Sequence, residues 1–512
     1  MSSTVTMLRT ETLRKVLPAR SLNNVYSGTT IPQNPRLATN SFSNAHADSY
    51  QSETVRLLGP TSGNLRLIIQ RNPYGFAANM TCNERNQMIA LSVLGNEFYL
   101  VVFDSECKII SSTYTGQGSG TLAGGYFFLN SDNNAVVVSG AGNTLACYPT
   151  ANVRVKNSVY SLDFLWKTVD LVNLITGSST GNSFFMAMPI WKSKPNLYWA
   201  VLNGMYDFQA GTLNSNSFVA VIEIVPDGSQ QNGCRTTLID SIELRNQWCN
   251  NPPAVSEEAV FVVTNACDKT GACTSGFMHS IGFDARTQKI KFNWSKPYQN
   301  SGHFLPGMKN IGSGTAPTIF QDENGVEYVT IGDNAYPRMH VVVYKLSDGT
   351  KVSETPLFAK MRSCDEASLI AAHGRVIAEN NFGHTNPDFQ TPQLVSNEPG
   401  LALVKVKSAP GETSEVIWEN DHVCCFGMSM LARESGIIYA HTGDWSVPDS
   451  STKGALYSMS AIDAWDGREI WRIPLGQGNT YCHEYGGTYF DRDGNLFVGT
   501  QQYLVSIQNH DN

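Results

Sequence analysis

The chain has 512 residues, of which 16% are charged and 10% are aromatic, and its formal net charge is -8. Nucleic acid and anionic membranes are held first by dense positive charge, and this acidic chain has no marked cluster of Lys or Arg. No apolar run approaches the roughly 20 residues that span a bilayer. We therefore expect a small-molecule ligand, no nucleic-acid partner and no membrane insertion.

The first 50 residues are rich in Ser, Thr and Asn and lack hydrophobic periodicity, which predicts a flexible N-terminal tail over residues 1–50. No apolar core followed by a small-residue cleavage site is visible there, so the sequence shows no secretory signal.

Eleven cysteines include Cys267 and Cys273 in "CDKTGAC", a loop short enough for a disulfide to close. Cysteines and composition favour an extracytoplasmic location, and the missing signal opposes it. The sequence leaves the compartment open.

From residue 54 onward the sequence repeats one pattern: an apolar run, a short polar turn and a second apolar run, mostly followed by two more strands. Copies start near residues 77, 124, 184, 254, 316, 367, 427 and 486. Four antiparallel strands at spacings of roughly 40 to 60 residues are typical of propeller blades. The last copy lacks room for a fourth strand, which the segment from Thr54 can supply. The sequence therefore predicts an all-β propeller of eight blades, with seven as the alternative count, over residues 54–508.

One segment carries a family resemblance. In "AIDAWDGREIWRIPLG" the residues Ala461, Asp463, Gly467 and Trp471 fit the spacing Ala-x-Asp-x-x-x-Gly-x-x-x-Trp. This segment resembles the tryptophan-docking repeat of pyrroloquinoline-quinone-type propellers, the quinoprotein alcohol-dehydrogenase-like superfamily. The resemblance implies that the Trp packs between neighbouring blades and that the Gly makes a turn.

A second feature bears on the cofactor. The adjacent Cys424 and Cys425 are similar to the vicinal disulfide that lies against the quinone in alcohol dehydrogenases of that family, which makes them disulfide candidates. A quinone or a metal ion is open as a cofactor, and the sequence favours neither. Only three histidines stand at candidate channel positions, so we assign no metal ligands.

Polar residues cluster at the open end of the inner hairpin of each blade, just before its first strand and just after its second strand. In a propeller the innermost strands line a central channel, so the loop before the first strand and the loop after the second lie at one mouth. The candidate catalytic residues at such positions are Glu366, His384, His441, His483 and Glu484. The candidate substrate-binding residues are Asp333, Asn334, Asn380, Asn381 and Asp444.

Each of these residues also has a purely structural interpretation, because Asn and Asp at strand ends usually cap turns and single histidines are usually packed. Their expected meeting at one mouth favours an enzyme that acts on a small organic molecule in the central cup by acid-base chemistry, of isomerase, lyase or hydrolase type. The alternatives are a quinone-dependent dehydrogenase, which the resemblance implies, and a non-catalytic scaffold or ligand-binding propeller.

Overall fold

Eight four-stranded antiparallel sheets stand in a ring, so the protein is an eight-bladed β-propeller and the predicted count of eight is confirmed. The computed structural model describes residues 4–9, 24–39, 42–61, 64–117, 126–139, 143–150, 154–156, 159–161, 164–180, 183–207, 211–249, 251–268, 272–384, 397–407, 414–444, 455–483 and 486–509. Among these residues, no helix is long and apolar enough to cross a membrane.

The blades follow one another in chain order, and the strands of each run from the channel outward. Blade 1 consists of Phe76–Cys82, Met88–Leu94, Glu97–Phe103 and Ile109–Gln117. Blade 2 consists of Phe127–Leu129, Ala135–Ser139, Thr144–Tyr148 and Trp166–Lys167. Blade 3 consists of Ser183–Pro189, Leu197–Asn203, Ser217–Pro226 and Cys234–Leu244. Blade 4 consists of the short inner strands Gln247–Trp248 and Ala254–Val255, then Ala259–Ala266, Ser275–Asp284 and Lys289–Gln299.

Blades 5 to 8 complete the ring. Blade 5 consists of Thr318–Gln321, Glu327–Gly332, His340–Lys345 and Lys351–Pro356. Blade 6 consists of Ile370–Ala372, Arg375–Glu379, Leu401–Lys405 and Glu415–Asn420. Blade 7 consists of Met430–Ala432, Ile437–Asp444, Leu456–Asp463 and Glu469–Gln477, with Thr54–Val55 parallel to its first strand. Blade 8 consists of Thr488–Phe490, Leu496–Gly499, Tyr503–Asn509 and the N-terminal strand Asn64–Arg71, beyond which lies Thr4–Arg9.

Short elements lie in the connections, the two hairpins between strands of blades 2 and 3 and the two helices between consecutive blades. They are the hairpins Arg154–Lys156 with Val159–Ser161 and Met205–Asp207 with Thr212–Ser215, the α-helix Leu171–Thr176 and the 3-10 helix Asn479–Tyr481. The N-terminal strand Asn64–Arg71 pairs along its whole length with the last strand of the chain. This pairing closes the ring, as the sequence predicts.

Tryptophans of outer strands dock on turns of the following blade. Trp418 of blade 6 donates its Nε1–H to the Ala464 carbonyl at 3.2 Å. A Cβ at Gly467, which has φ +73°, would lie 2.5 Å from the Trp418 ring. Trp294 of blade 4 meets the turn at Gly349 of blade 5 in the same way, where a Cβ would lie 2.6 Å from its ring. Glycine at these turns therefore serves both the left-handed backbone and the close approach of the indole.

The N-terminal segment crosses the inner strands of the ring. Residues 42–55 are all buried, and their carbonyls accept hydrogen bonds from inner-strand amides of five blades. These bonds join Ser43 to Leu129, Ser49 to Val255, Tyr50 to Ile319, Ser52 to Ala371 and Glu53 to Leu431. We call residues 42–55 the channel segment. Part of the predicted tail is therefore packed against the propeller, residues 10–23 lie outside the described residues, and the division into tail and domain stays a prediction.

Candidate active site at the channel mouth

Glu366 lies just before the first strand of blade 6 and is partly buried. Its Oε1 accepts a hydrogen bond from Asn334 Nδ2 at 3.3 Å, and its Oε2 accepts one from Asn310 Nδ2 at 3.4 Å. Its own N–H donates to Asn381 Oδ1 at 2.8 Å. Burial raises the pKa of Glu366 to about 8, although N–H groups and the ammonium of Lys309 act to lower it. The carboxyl is therefore mostly protonated at neutral pH and able to donate a proton.

Blades 6, 7 and 8 each contribute one buried histidine, and we call His384, His441 and His483 the histidine cluster. The ring centroids of His441 and His483 are 5.2 Å apart. Phe426 lies against His384 with a centroid distance of 3.6 Å, and Tyr457 stacks on His441 at 5.3 Å. The ring centroids of Phe426 and Tyr457 are 5.6 Å apart, in an edge-to-face contact. The structure thus brings three of the sequence-predicted histidines into one group.

Burial keeps the cluster neutral. It lowers the pKa of His483 to about 4 and holds the pKa values of His384 and His441 well below the usual range. Repulsion between the three rings acts in the same direction, as does the Lys309 ammonium on His384. The Lys309 ammonium thus lowers the pKa of both Glu366 and His384.

His441 has a defined tautomer. Its Nε2 lies 3.0 Å from the Tyr481 carbonyl oxygen, which only accepts, so the ring proton resides on Nε2. Its Nδ1 is buried, and the backbone of Phe426, like that of Tyr481, acts to raise the pKa of the ring against the effect of burial. His441 therefore presents a lone pair on Nδ1, which is the atom that a general base needs.

His483 is held differently. Its Nδ1 contacts the Gly499 carbonyl oxygen, and its Nε2 lies 2.6 Å from the Gly487 carbonyl oxygen. A neutral imidazole has one N–H and carbonyl oxygens only accept, so one of these two contacts is a hydrogen bond while the ring is neutral, and both act to raise its pKa against the effect of burial. His483 is thus placed to support the neighbouring His441 ring, while its assignment as a catalytic residue stays a prediction.

The predicted substrate-binding amides make bonds to the backbone. Asn380 Nδ2 donates to the Arg362 carbonyl at 3.1 Å, and its Oδ1 accepts from the Phe382 N–H at 3.2 Å. Asn334 donates to the Asp365 carbonyl at 3.0 Å and accepts from the Asp365 N–H at 2.7 Å, which ties blade 5 to blade 6. These contacts hold the loops that carry Glu366.

The remaining predicted residues are Asp333, Asp444 and Glu484. Asp333 Oδ2 lies 2.8 Å from His340 Nδ1, so its carboxylate bonds within blade 5. Asp444 ends the second strand of blade 7 and is partly buried. Glu484 lies outside the described residues.

A second acidic group includes Glu379, at the end of the second strand of blade 6 where the repeat pattern indicates polar residues, and Glu53, which the pattern did not indicate. Glu379 is buried, its Oε1 accepts from the Ser429 N–H at 3.0 Å, and burial raises its pKa to about 7, with the nearby Glu53 adding to the rise. Glu53 of the channel segment contacts His46 Nδ1. Among the described residues, Glu53 Oε2 and His46 Nε2 have no hydrogen-bond partner. The channel segment has no hydrophobic period, so no sequence signal pointed to this pair.

The cysteines bear on a quinone cofactor. The structure contains a Cys267–Cys273 disulfide, whereas Cys424 and Cys425 are free thiols. Cys425 lies in an apolar cluster between blades 6 and 7, and Cys424 Sγ approaches the Asn397 carbonyl at 3.8 Å. The two thiols thus have different neighbours and form no disulfide. Cys424 and Cys425 therefore do not fit the quinone site that the resemblance implies.

Comparisons with known proteins find likenesses of structure only. No protein-family model and no curated protein matches the chain. Similar solved structures include Sqt1 of Saccharomyces cerevisiae, with 10% identity, a TM-score of 0.46, and coverage of 87% of this chain and 98% of that chain. The WD40 domain of SCAP from fission yeast has 11% identity and a TM-score of 0.43, with coverage of 86% and 94%. A streptogramin B lyase has 8% identity and a TM-score of 0.37, with coverage of 87% and 98%. The fold assignment rests on the eight sheets themselves.

Proposed function

We propose that the protein is an enzyme that acts on a small organic molecule at the channel mouth by proton transfer. The observation that carries the proposal is that the fold keeps Glu366 protonated and His441 neutral, with the Lys309 ammonium acting on both Glu366 and His384 of the histidine cluster. Environments that push an acid and a base to opposite protonation states are the usual way to run acid-base chemistry near pH 7.

Glu366 serves as the general acid and His441 as the general base. Glu366 has a pKa of about 8, close enough to neutrality for efficient proton donation. His441 accepts a proton at Nδ1 while the Tyr481 carbonyl holds its Nε2 proton in place. The same burial makes the imidazolium costly, so His441 is a weak base, and proton removal depends on stabilisation of the negative charge that develops on the substrate.

Lys309 supplies the electrostatic part of the mechanism. Its ammonium lies near Glu366 and His384, where it lowers the pKa of both groups. A carbanion or enolate that forms when His441 removes a proton would be stabilised by this charge and by the Glu366 O–H. These roles suit an isomerase or lyase best, and a hydrolase uses the same acid and base on water.

Solvent deuterium tests the proposal across many candidate substrates at once. Mixtures of small hydroxy acids, keto acids, lactones and sugars are incubated with the protein in D₂O, and NMR follows deuterium incorporation or product formation. We expect at least one compound to exchange or react, and Glu366→Gln and His441→Gln to lose at least about 100-fold of that rate.

Glu323→Gln is the matched control for this experiment. Glu323 is an exposed carboxylate in the hairpin turn at the opposite end of blade 5, so its removal should leave the rate unchanged. A library in which nothing exchanges, or equal rates in all four proteins, contradicts the proposal.

A further inference from the structure

Outward from the mouth, blade 5 places three metal-ligating side chains on neighbouring strands. Asp333 follows the second strand, His340 begins the third and Glu354 lies in the fourth. His340 pairs with Pro356, and Val342 pairs with Glu354, so the sheet register itself brings the imidazole and the two carboxylates together. None of the three belongs to the histidine cluster.

The donor atoms of these side chains lie within 4.8 Å of one another. His340 Nδ1 is 2.8 Å from Asp333 Oδ2 and 4.0 Å from Glu354 Oε1. Ligands bound to one zinc ion lie about 2 Å from it, so small rotations of the partly exposed Glu354 would bring all three atoms into one coordination sphere.

Asp333 is fixed in place by the backbone. Its side chain is 1% exposed, and its Oδ1 accepts hydrogen bonds from the N–H groups of Ala335 at 3.0 Å and His340 at 2.7 Å. These bonds leave Oδ2 directed at the imidazole. An ion that binds here takes the place of the Nδ1 proton between His340 and Asp333, so the proton is released to solvent or the ring carries its one proton on Nε2.

We propose that Asp333, His340 and Glu354 bind one divalent transition-metal ion. One imidazole nitrogen with two carboxylate oxygens is a borderline donor set that suits Zn²⁺ or Mn²⁺ better than Ca²⁺, which prefers six to eight oxygens. Two carboxylates and a neutral imidazole also balance the charge of a divalent ion. Water completes the coordination sphere on the exposed side.

Lys351 gives the proposal a sharp internal test. Its ammonium contacts Glu354 Oε2 and therefore competes with a metal ion for the same carboxylate. A metal ion would displace Lys351, so Lys351→Gln should tighten metal binding by roughly tenfold. If the three residues form only a turn cap and an ion pair, loss of Lys351 creates no metal affinity.

Titration calorimetry on tag-free, chelator-treated protein tests the site with Zn²⁺ and Mn²⁺ alone, and with Ca²⁺ for comparison. We expect one Zn²⁺ or Mn²⁺ ion per chain and markedly weaker binding of Ca²⁺. Glu354→Gln and His340→Ala should each weaken binding at least about tenfold. Because Glu354 is partly exposed, its variant keeps the assay valid if His340→Ala fails to fold.

His422→Ala is the matched control. His422 Nε2 lies 3.1 Å from Asp421 Oδ1, and both side chains are largely exposed. This variant should bind as tightly as the unaltered protein. Three results would overturn the proposal. They are a titration that shows no stoichiometric site, a loss of metal affinity in His422→Ala equal to that in the site variants, and an unchanged metal affinity in Lys351→Gln.

Discussion

Removal from water shifts the pKa of a carboxyl and the pKa of an imidazole in opposite directions. Burial favours the neutral form of each, so it raises the pKa of Glu366 and lowers the pKa of His441. At pH 7 the acid thus keeps its proton and the base lacks one. At the level of single residues, burial is the largest cause of the protonation states of these two groups.

Glu379 allows this reasoning to be tested through stability. Because burial raises its pKa to about 7, the folded state binds more protons than the unfolded state between about pH 5 and pH 7. The protonated Glu379 carboxyl therefore stabilises the folded state near pH 5, and this stabilisation is lost as the pH rises through 7. We expect the unfolding free energy to fall by about 1 kcal/mol per pH unit relative to Glu379→Gln. Chemical denaturation at pH 5, 6, 7 and 8 measures the unfolding free energy of both proteins. The same pH dependence of that free energy in the two proteins would refute the prediction.

At the scale of elements, the hairpins could be predicted from sequence because alternating apolar runs and polar turns are local signals. The turn at His373 and Gly374 shows this, with φ values of +51° and +68° that suit a tight hairpin. The channel segment could not be predicted, because its contacts run through backbone carbonyls and its side chains follow no period. The structural interpretation of Asn334 as a residue that bonds the backbone could be predicted from its place at a strand end, but not which backbone groups of blade 6 it would bond.

Tryptophan docking gives a prediction for the turns between blades. Gly467→Ala adds a Cβ in a left-handed conformation and also places it 2.5 Å from the Trp418 ring. Gly325 has a similar φ of +77° but open space around it. We expect Gly325→Ala to cost about 1 kcal/mol and Gly467→Ala at least about 2 kcal/mol, as measured by urea unfolding. Equal losses would mean that the docking contact contributes nothing.

The channel segment gives a second prediction at this scale. Deletion of residues 1–53 removes five carbonyls that accept bonds from inner-strand amides, at about 1 kcal/mol each. We expect a loss of about 5 kcal/mol and faster hydrogen exchange at Ile319, Ala371 and Leu431. A chain that lacks only residues 1–23 is the control and should keep that protection. Full protection of these amides in the chain that lacks residues 1–53 would show that the channel segment is dispensable.

At the scale of the whole molecule, ring closure creates the candidate site. Residues from three consecutive blades meet because these blades stand side by side in a ring that Asn64–Arg71 closes against the last strand of the chain. The sequence predicted that Glu366, His384, His441 and His483 share a mouth from the position of each residue within its repeat. It could not predict that Lys309 would lie near both Glu366 and His384, because Lys309 stands in a long loop outside the repeat.

An NMR titration of Glu366 and His441 tests the central claim most directly. Specific ¹³C and ¹⁵N labels report the Glu366 carboxyl and the His441 ring between pH 5 and pH 9. The proposed mechanism predicts a Glu366 pKa of about 8 and a His441 ring that stays neutral throughout, with its proton on Nε2. Ordinary pKa values near 4.3 and 6.5, or a proton on Nδ1 of His441, would contradict it.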